Sequence, residues 1–248
     1  MSESKWPKKL PDFTEEQIRI KDDFVHKWLE GFPKKYGAME IFNQKYPAQT
    51  FKRYDKNRKR NWRTIEIGGG IGSHIPYEEM ADQEYTIIDI RQNILDTLRE
   101  RYPQVNSILG DCQNEYAEES SFDRVIAIHV LEHLPNLPEA LKQMHRVLVN
   151  DGVAHVVIPC EGSLAYSICR KMSAERLWNK LYHTDYSWFI KSEHINYPYE
   201  IIEEIEKYFT IKYKRFFPIP IPFEFCNIAI GMTLYPKNIQ EESIDHEK

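Results

Sequence analysis

The sequence predicts an α/β fold built on a doubly wound, mostly parallel sheet, and three observations carry that prediction. Between Thr64 and Ile158, short runs of continuous apolar residues alternate with stretches whose apolar residues recur three and four apart, the pattern of strands buried on both faces and joined by crossover helices. The first run, Thr64-Ile-Glu-Ile67, opens directly into the glycine loop Gly68-Gly-Gly70-Ile-Gly72. At 248 residues the chain is long enough for one large domain that buries roughly 70% of its unfolded surface.

Bulk properties exclude several classes. A net charge of −5 supplies no excess of cations to neutralise phosphates, so no nucleic-acid partner is expected. Cys112, Cys160, Cys169 and Cys226 form neither a C-x-x-C pair nor a dense framework and read as reduced thiols. No apolar run has the length of a bilayer span, and Met1 to Pro7 lacks the apolar stretch of a signal peptide. A cytoplasmic protein, monomer or homodimer, is the expectation.

Thr14-Glu-Glu-Gln17 has the form of a capping box and predicts a helix to Glu30, with Ile18, Val25, Trp28 and Leu29 as its apolar stripe and Gly31 and Pro33 as its stop. A second helix is expected over 38–44, ending before Pro47. The basic stretch Lys52 to Arg63 reads as a solvated linker. After the glycine loop, 73–80 is expected to be a short helix with Pro76 in its first turn, where a missing amide costs nothing.

Glycines at alternate positions allow positive φ and let a ligand approach the main chain closely. The dinucleotide pattern G-x-G-x-x-G would need glycine where this chain has Ser73 or Ile75 and fits poorly. Tyr85 to Asp89 is a second buried strand ending in an acid, a position at which dinucleotide folds also place one. A helix over 93–102 follows, closed by Pro103. Val105 to Leu109 is the third strand, followed by Gly110-Asp111-Cys112, and Phe122 to His129 the fourth, running into Val130-Leu-Glu132-His133-Leu-Pro135. A helix carrying Leu137, Ala140, Leu141, Met144, Val147 and Leu148 comes next, Asn150-Asp-Gly152 stops it, and Val153 to Ile158 is the fifth strand.

The run acidic-x-Gly-x-Gly-x-Gly from Glu66, together with the acids at the next two strand ends and the Leu-Glu-His-Leu-Pro segment, resembles the class I S-adenosylmethionine-dependent methyltransferases of the small-molecule or glycan type, over about Thr64 to Pro159. The resemblance implies a Rossmann-like seven-stranded sheet closed by a terminal antiparallel hairpin, and S-adenosylmethionine as cofactor. It also implies that this cofactor is held by Glu66, Gly68, Gly69, Gly70 and Gly72, by Asp89 and Ile90, by Asp111 and Cys112, and by His129. In such enzymes the acid at Asp89 accepts the ribose hydroxyls, the acid at Asp111 meets the adenine amino group, and the amide of Cys112 meets a ring nitrogen.

His129-Val-Leu-Glu132-His133 also matches H-x-x-E-H, a zinc-peptidase spacing that works only on a helix. The strand reading of Phe122 to Ile128 opposes it, because an extended segment would hold the two rings roughly 13 Å apart. No metal is therefore expected.

Residues 161–197 are far longer than the usual connection between a strand and a helix and read as a lid. Tyr166, Trp178, Tyr182, Tyr186, Trp188, Phe189 and Tyr197 alternate there with Arg170, Lys171, Arg176, Lys180 and Lys191. A helical cap with its own core is the favoured reading, and a pocket for a ring-shaped, anionic acceptor such as a sugar phosphate is the other. For a hydroxyl acceptor a positioned base is needed; His194 is the first candidate, with His133 and Glu193, then His183 and Asp185, behind it. Residues 198–209 form a helix starting at Pro198, and 210–217 and 225–235 form the last two strands.

The expected division is a helical extension over 1–60, a cofactor-binding core over 61–160, the lid over 161–197, a helix and hairpin over 198–236 that complete the sheet, and a disordered tail over 237–248. The expected activity is methyl transfer to a small-molecule or sugar acceptor, most simply at oxygen. A non-catalytic cofactor-binding module is the alternative, and it predicts cofactor binding without transfer.

Overall fold

The structure, a computed structural model, describes residues 5–35, 37–59 and 61–238, with the side chains of 28–35 outside that description. The side chains of Trp28 and Leu29, expected in the apolar stripe, and the tail from residue 239 onward thus lie outside that description. Seven strands, β1 (Trp62–Ile67), β2 (Gln83–Asp89), β3 (Asn106–Leu109), β4 (Phe122–Ile128), β5 (Leu148–Pro159), β6 (Phe209–Phe217) and β7 (Ala229–Pro236), form one sheet in the order β3-β2-β1-β4-β5-β7-β6. The first five are parallel, and β7 runs antiparallel between β5 and β6.

Both faces of the sheet are covered, which is why its central strands read as unbroken apolar runs. Ile65, Val125, Ala127 and Val156 face α4 (Leu137–Val147) and α8 (Pro198–Tyr208), whose Leu141, Met144, Ile201 and Ile205 complete the larger core. On the other face Ile87 and Ile126 meet Leu95 and Leu98 of α3 (Gln92–Arg101), and Val157 meets Phe42 and Tyr46 of α2 (Gly37–Tyr54).

Several local expectations are corrected. The Thr14 capping box is present, with reciprocal bonds of 2.9 and 3.2 Å to Gln17, but α1 (Glu15–Lys35) continues through Gly31 and Pro33, and Ile18 is exposed while Phe24 takes the buried position. Helix α2 likewise carries Pro47 in its interior. Carbonyls around it take side-chain donors: buried Arg124 donates to the Pro47 carbonyl at 3.2 Å, and the Thr50 hydroxyl of the same helix donates to the Tyr46 carbonyl at 2.6 Å. The basic stretch is not a free linker. Lys52 and Lys56 pair with Glu79, while Lys59 and Arg63 pair with Asp123. Residues 73–80 form no α-helix, only short 3-10 turns at Ile75–Tyr77 and Met80–Asp82, as a proline in so short a segment favours. Asn150-Asp-Gly152 lies inside β5 at a register shift against β4 rather than between elements. Phe225 and Cys226 belong to a 3-10 turn, so β7 starts only at Ala229. Lys237, placed in the tail, is tied back by its amide to Tyr208 and by its carbonyl to His145.

The insertion consists of α5 (Leu164–Arg170), a π-helical turn over Lys171–Glu175, α6 (Arg176–Tyr182) and α7 (Ser187–Glu193). Trp178, Tyr186, Phe189 and Ala174 pack with Phe24 of α1 into a separate core. Most of the aromatic residues there are thus committed to packing, as the cap reading expects.

Candidate active site

In an open parallel sheet, ligands bind beyond the carboxyl ends of the strands where the order reverses, and here that point lies between β1 and β4. The ends of β1, β2 and β3 stand side by side: Ile67 is level with Ile88 and Asp89 with Leu109. The Gly68 amide bonds the Ile88 carbonyl at 2.8 Å and the Gly110 amide bonds the Asp89 carbonyl at 3.1 Å. The three tips named by the motif therefore form one continuous rim.

The glycine loop turns through positive φ at Gly68, Gly70 and Gly72. Gly72 is needed for packing as well, since a Cβ there would lie 2.6 Å from Ile75 and 2.9 Å from Tyr102. Gly70 differs. It is buried, yet a Cβ added to it would meet no atom within 4 Å, so its bare face looks into open space inside the crevice. That is the opening a ligand held by the loop would fill, and the residues present fit a nucleoside cofactor in this respect.

Around the opening the expected residues fall into place unequally. Asp89 is 4% exposed, and its carboxylate accepts the Arg91 amide at 3.0 Å and a guanidinium fork at 3.0 and 3.1 Å. Ile90 presents a bare apolar side chain, 67% exposed, beside it. Asp111 accepts the Gln113 amide at 2.9 Å and its side-chain nitrogen at 3.0 Å. Cys112 is buried, and burial foremost, with the Asp111 charge, pushes its thiol up to about 12, leaving it neutral. Glu66 lies beneath the loop rather than on its open side: its carboxylate accepts the Tyr85 hydroxyl at 2.9 Å and fills the space a Gly69 side chain would need. Burial raises its pKa. Glu66 thus supports the loop from below.

A second cluster stands beyond the end of β4. The chain leaves that strand at His129 with φ of +53° and enters a single 3-10 turn, Leu131–His133. It is not helical through His129, so the peptidase geometry is absent. The Glu132 carbonyl accepts the amides of Ile195 and Asn196 at 2.9 and 3.1 Å, and the Asn196 side chain donates to the carbonyls of Leu131 and Leu134, both at 2.8 Å. Asn196 thereby fastens the turn to the run 193–196, which is 60 residues away in sequence for the bond between His133 Nδ1 and the Glu193 carbonyl, 2.7 Å long.

Three of the expected catalytic residues therefore meet: the rings of His133 and His194 are 5.0 Å apart, and Glu193 adjoins both, its carboxylate paired with Lys21. His183 and Asp185 do not join them. His183 is an exposed left-handed residue ending α6, and Asp185 accepts the Ser187 amide at 3.0 Å. Two acids complete the cluster without having been singled out as site residues. Glu132 is fully buried, accepts His129 Nδ1 at 3.0 Å, and has its Oε2 without a partner among the described residues. Burial would push this carboxyl up, but the His129 bond and the charges of the neighbouring histidines outweigh it and hold it at about 2. The same pairing raises His129 against the pull of its own burial, whereas burial dominates at His133 and lowers it. Glu161, directly beyond the end of β5, accepts His194 Nδ1 at 2.8 Å and the Arg170 guanidinium at 2.7 Å. An acid just past a parallel strand end was the available signal for Glu161; the H-x-x-E-H spacing was the signal for Glu132.

Residues 65–156 match a protein family described as methyltransferase domain. The chain is 28% identical over 103 residues to the biotin biosynthesis bifunctional protein BioHC of Cellvibrio japonicus, covering 41% of this chain and 20% of that protein. It is 32% identical over 93 residues to demethylmenaquinone methyltransferase of Staphylococcus haemolyticus, covering 36% of each. The chain thus spans only 4% to 36% of the length of the curated relatives it matches. Among solved structures, the N-methyltransferase NodS of Bradyrhizobium japonicum in complex with S-adenosyl-L-homocysteine has the same fold, with a TM-score of 0.58, 11% identity and coverage of 88% of this chain and 99% of that one. With the family match and the sheet order in agreement, residues 65–156 carry a methyltransferase domain on the fold that this chain shares with NodS.

Proposed function

We propose that the chain binds S-adenosylmethionine across the tips of β1, β2 and β3 and moves its methyl group to a hydroxyl of a small or glycan-type acceptor. The observation that carries the proposal is the open space before Gly70, on a rim that also holds the Asp89 and Asp111 carboxylates. The cofactor supplies an electrophilic sulfonium methyl; the chain's own residues hold and deprotonate. In this reading Asp89 accepts the ribose hydroxyls, sharing its four lone-pair sites with Arg91. Ile90, bare beside it, is the apolar surface for the adenine, while Asp111 and the Cys112 amide meet the polar edge of the base. His129 closes the crevice on the β4 side.

The acceptor reading rests on the second cluster. Glu161 is an acceptor facing His194 Nδ1, so that nitrogen carries the hydrogen and Nε2 is left free to take a proton. A base so oriented contributes about 10² to 10⁴ in rate, and the remaining acceleration comes from holding the nucleophile in line with the methyl group. NodS is an N-methyltransferase, whereas the paired histidines and acids here favour an acceptor that must lose a proton as it reacts, which is why oxygen is preferred.

The test is a screen of sugars, phosphosugars and cell extracts with radiolabelled methyl donor, followed by His194→Ala on the acceptor found. Turnover is expected to fall by about 10² or more with cofactor affinity unchanged. Donor binding with no transfer to any acceptor would favour the non-catalytic module instead.

A further inference from the structure

We infer that Glu132, His133 and His194 form a binding site for a first-row divalent cation, zinc foremost. One donor atom from each of the three residues lies within 4.8 Å of the others, and no other such group is found among the described residues. Ligand atoms around a tetrahedral zinc with bonds of about 2.0 to 2.2 Å sit roughly 3.3 Å apart, so modest side-chain rotation closes the set.

Three further features point to a ligand. Glu132 is fully buried, and its Oε2 has no hydrogen-bond partner among the described residues, an arrangement that is costly unless something completes it. Its other oxygen is held by His129 Nδ1 at 3.0 Å, so His129 orients the carboxylate without itself belonging to the three. Both remaining histidines are fixed in the ligating tautomer. His133 Nδ1 meets the Glu193 carbonyl at 2.7 Å and His194 Nδ1 meets the Glu161 carboxylate at 2.8 Å. Each partner only accepts, so each Nδ1 carries the hydrogen and each Nε2 presents a lone pair. His133 Nε2 stands 3.8 Å from Glu132 Oε1. A carbonyl or carboxylate behind the far nitrogen is the usual support of a metal-bound histidine. Arg170, 2.7 Å from Glu161, steadies that support in turn.

Two imidazoles and one carboxylate suit zinc, iron(II) or cobalt(II) better than calcium or magnesium. The site has an entrance, since the side chains of His133 and His194 are 34% and 13% exposed while Glu132 is not exposed at all. Three protein ligands leave positions open, which is the form of a reactive site rather than a closed structural one. The consequence for turnover rests on the proposed acceptor site: with the cation bound, His194 Nε2 serves as ligand instead of base. Binding itself does not depend on that reading.

The test uses the purified full chain, stripped with chelator and titrated with zinc chloride and, separately, cobalt(II) chloride, without methyl donor or acceptor. Calorimetry and metal analysis are expected to show about one equivalent, and cobalt is expected to show the visible absorbance of nitrogen coordination. His133→Ala and His194→Ala should each abolish saturable binding. Glu161→Gln should weaken it by about 10- to 100-fold, and His183→Ala, a distant exposed histidine, should leave it unchanged. Circular dichroism confirms that each variant is folded; His194→Gln replaces any that is not. No saturable binding by the unmodified chain, or the same affinity and cobalt spectrum in the His133 and His194 variants, overturns the inference. S-adenosylhomocysteine titrated into the same stripped protein reads the donor site separately, so failure of one site is distinguishable from failure of the other.

Discussion

Gly70→Ala separates the ligand from the fold more cleanly than any other single change. Its backbone has φ of +57°, so an alanine there incurs the left-handed penalty of about 1 to 2 kcal/mol. None of the described residues would touch the new methyl group. For a chain of this size that penalty lowers Tm by about 2 to 8 °C and leaves the protein folded at room temperature. If the open space before Gly70 is where the cofactor lies, the same methyl group displaces it, and affinity for S-adenosylhomocysteine should fall at least tenfold, a loss of about 1.4 kcal/mol. Calorimetry at 25 °C measures this, with a thermal melt of the same sample. Gly72→Ala is the contrast: its Cβ would strike Ile75, Leu98 and Tyr102, so stability should suffer more. Unchanged affinity in folded Gly70→Ala would refute the assignment of that space to the cofactor.

Asp89→Ala should weaken the same ligand by about tenfold or more, since one charged hydrogen bond is worth about 1.5 to 3 kcal/mol; a smaller change in the titration counts against the ribose contact. Stability should decline on mild acidification. His155 is fully buried, and burial foremost, with the neighbouring Arg124 charge, holds its pKa well below the ordinary 6.5. The unfolded chain therefore binds a proton at His155 below about pH 6.5 that the native state does not, and stability falls by up to about 1.4 kcal/mol per pH unit as pH drops through that range. Melts at pH 7.5 and 5.5 should differ in this sense, and His155→Gln should flatten the difference; an equal slope in the variant would refute it.

The core strands were legible because a parallel sheet covered on both faces leaves unbroken apolar runs, as at Val125 to Ile128 and Val153 to Ile158. Their glycine loop and terminal acids were legible for the same reason, being tied to strand ends. What local pattern could not show was tertiary rescue. Pro47 sits inside a helix where Arg124, 77 residues later, reaches its carbonyl, and Asn150-Asp-Gly152 lies inside a strand because β5 carries three extra residues against β4 between the Phe122–Leu148 and Arg124–Val153 pairings. The residues expected on the donor side stand at neighbouring strand ends, except that Glu66 lies under the loop. The second cluster emerged in pieces. His133, Glu193 and His194 were visible as chemistry-bearing residues, but Glu161 joins them only through a bond spanning 33 residues, and the clamp by Asn196 has no signature in the chain.

The central claim is that three neighbouring strand ends grip one nucleoside. Titration of the unmodified chain with S-adenosylhomocysteine and, separately, with NAD tests it most directly. One saturable site for the first and none for the second is the predicted result; no binding of S-adenosylhomocysteine, or preference for NAD, would contradict it.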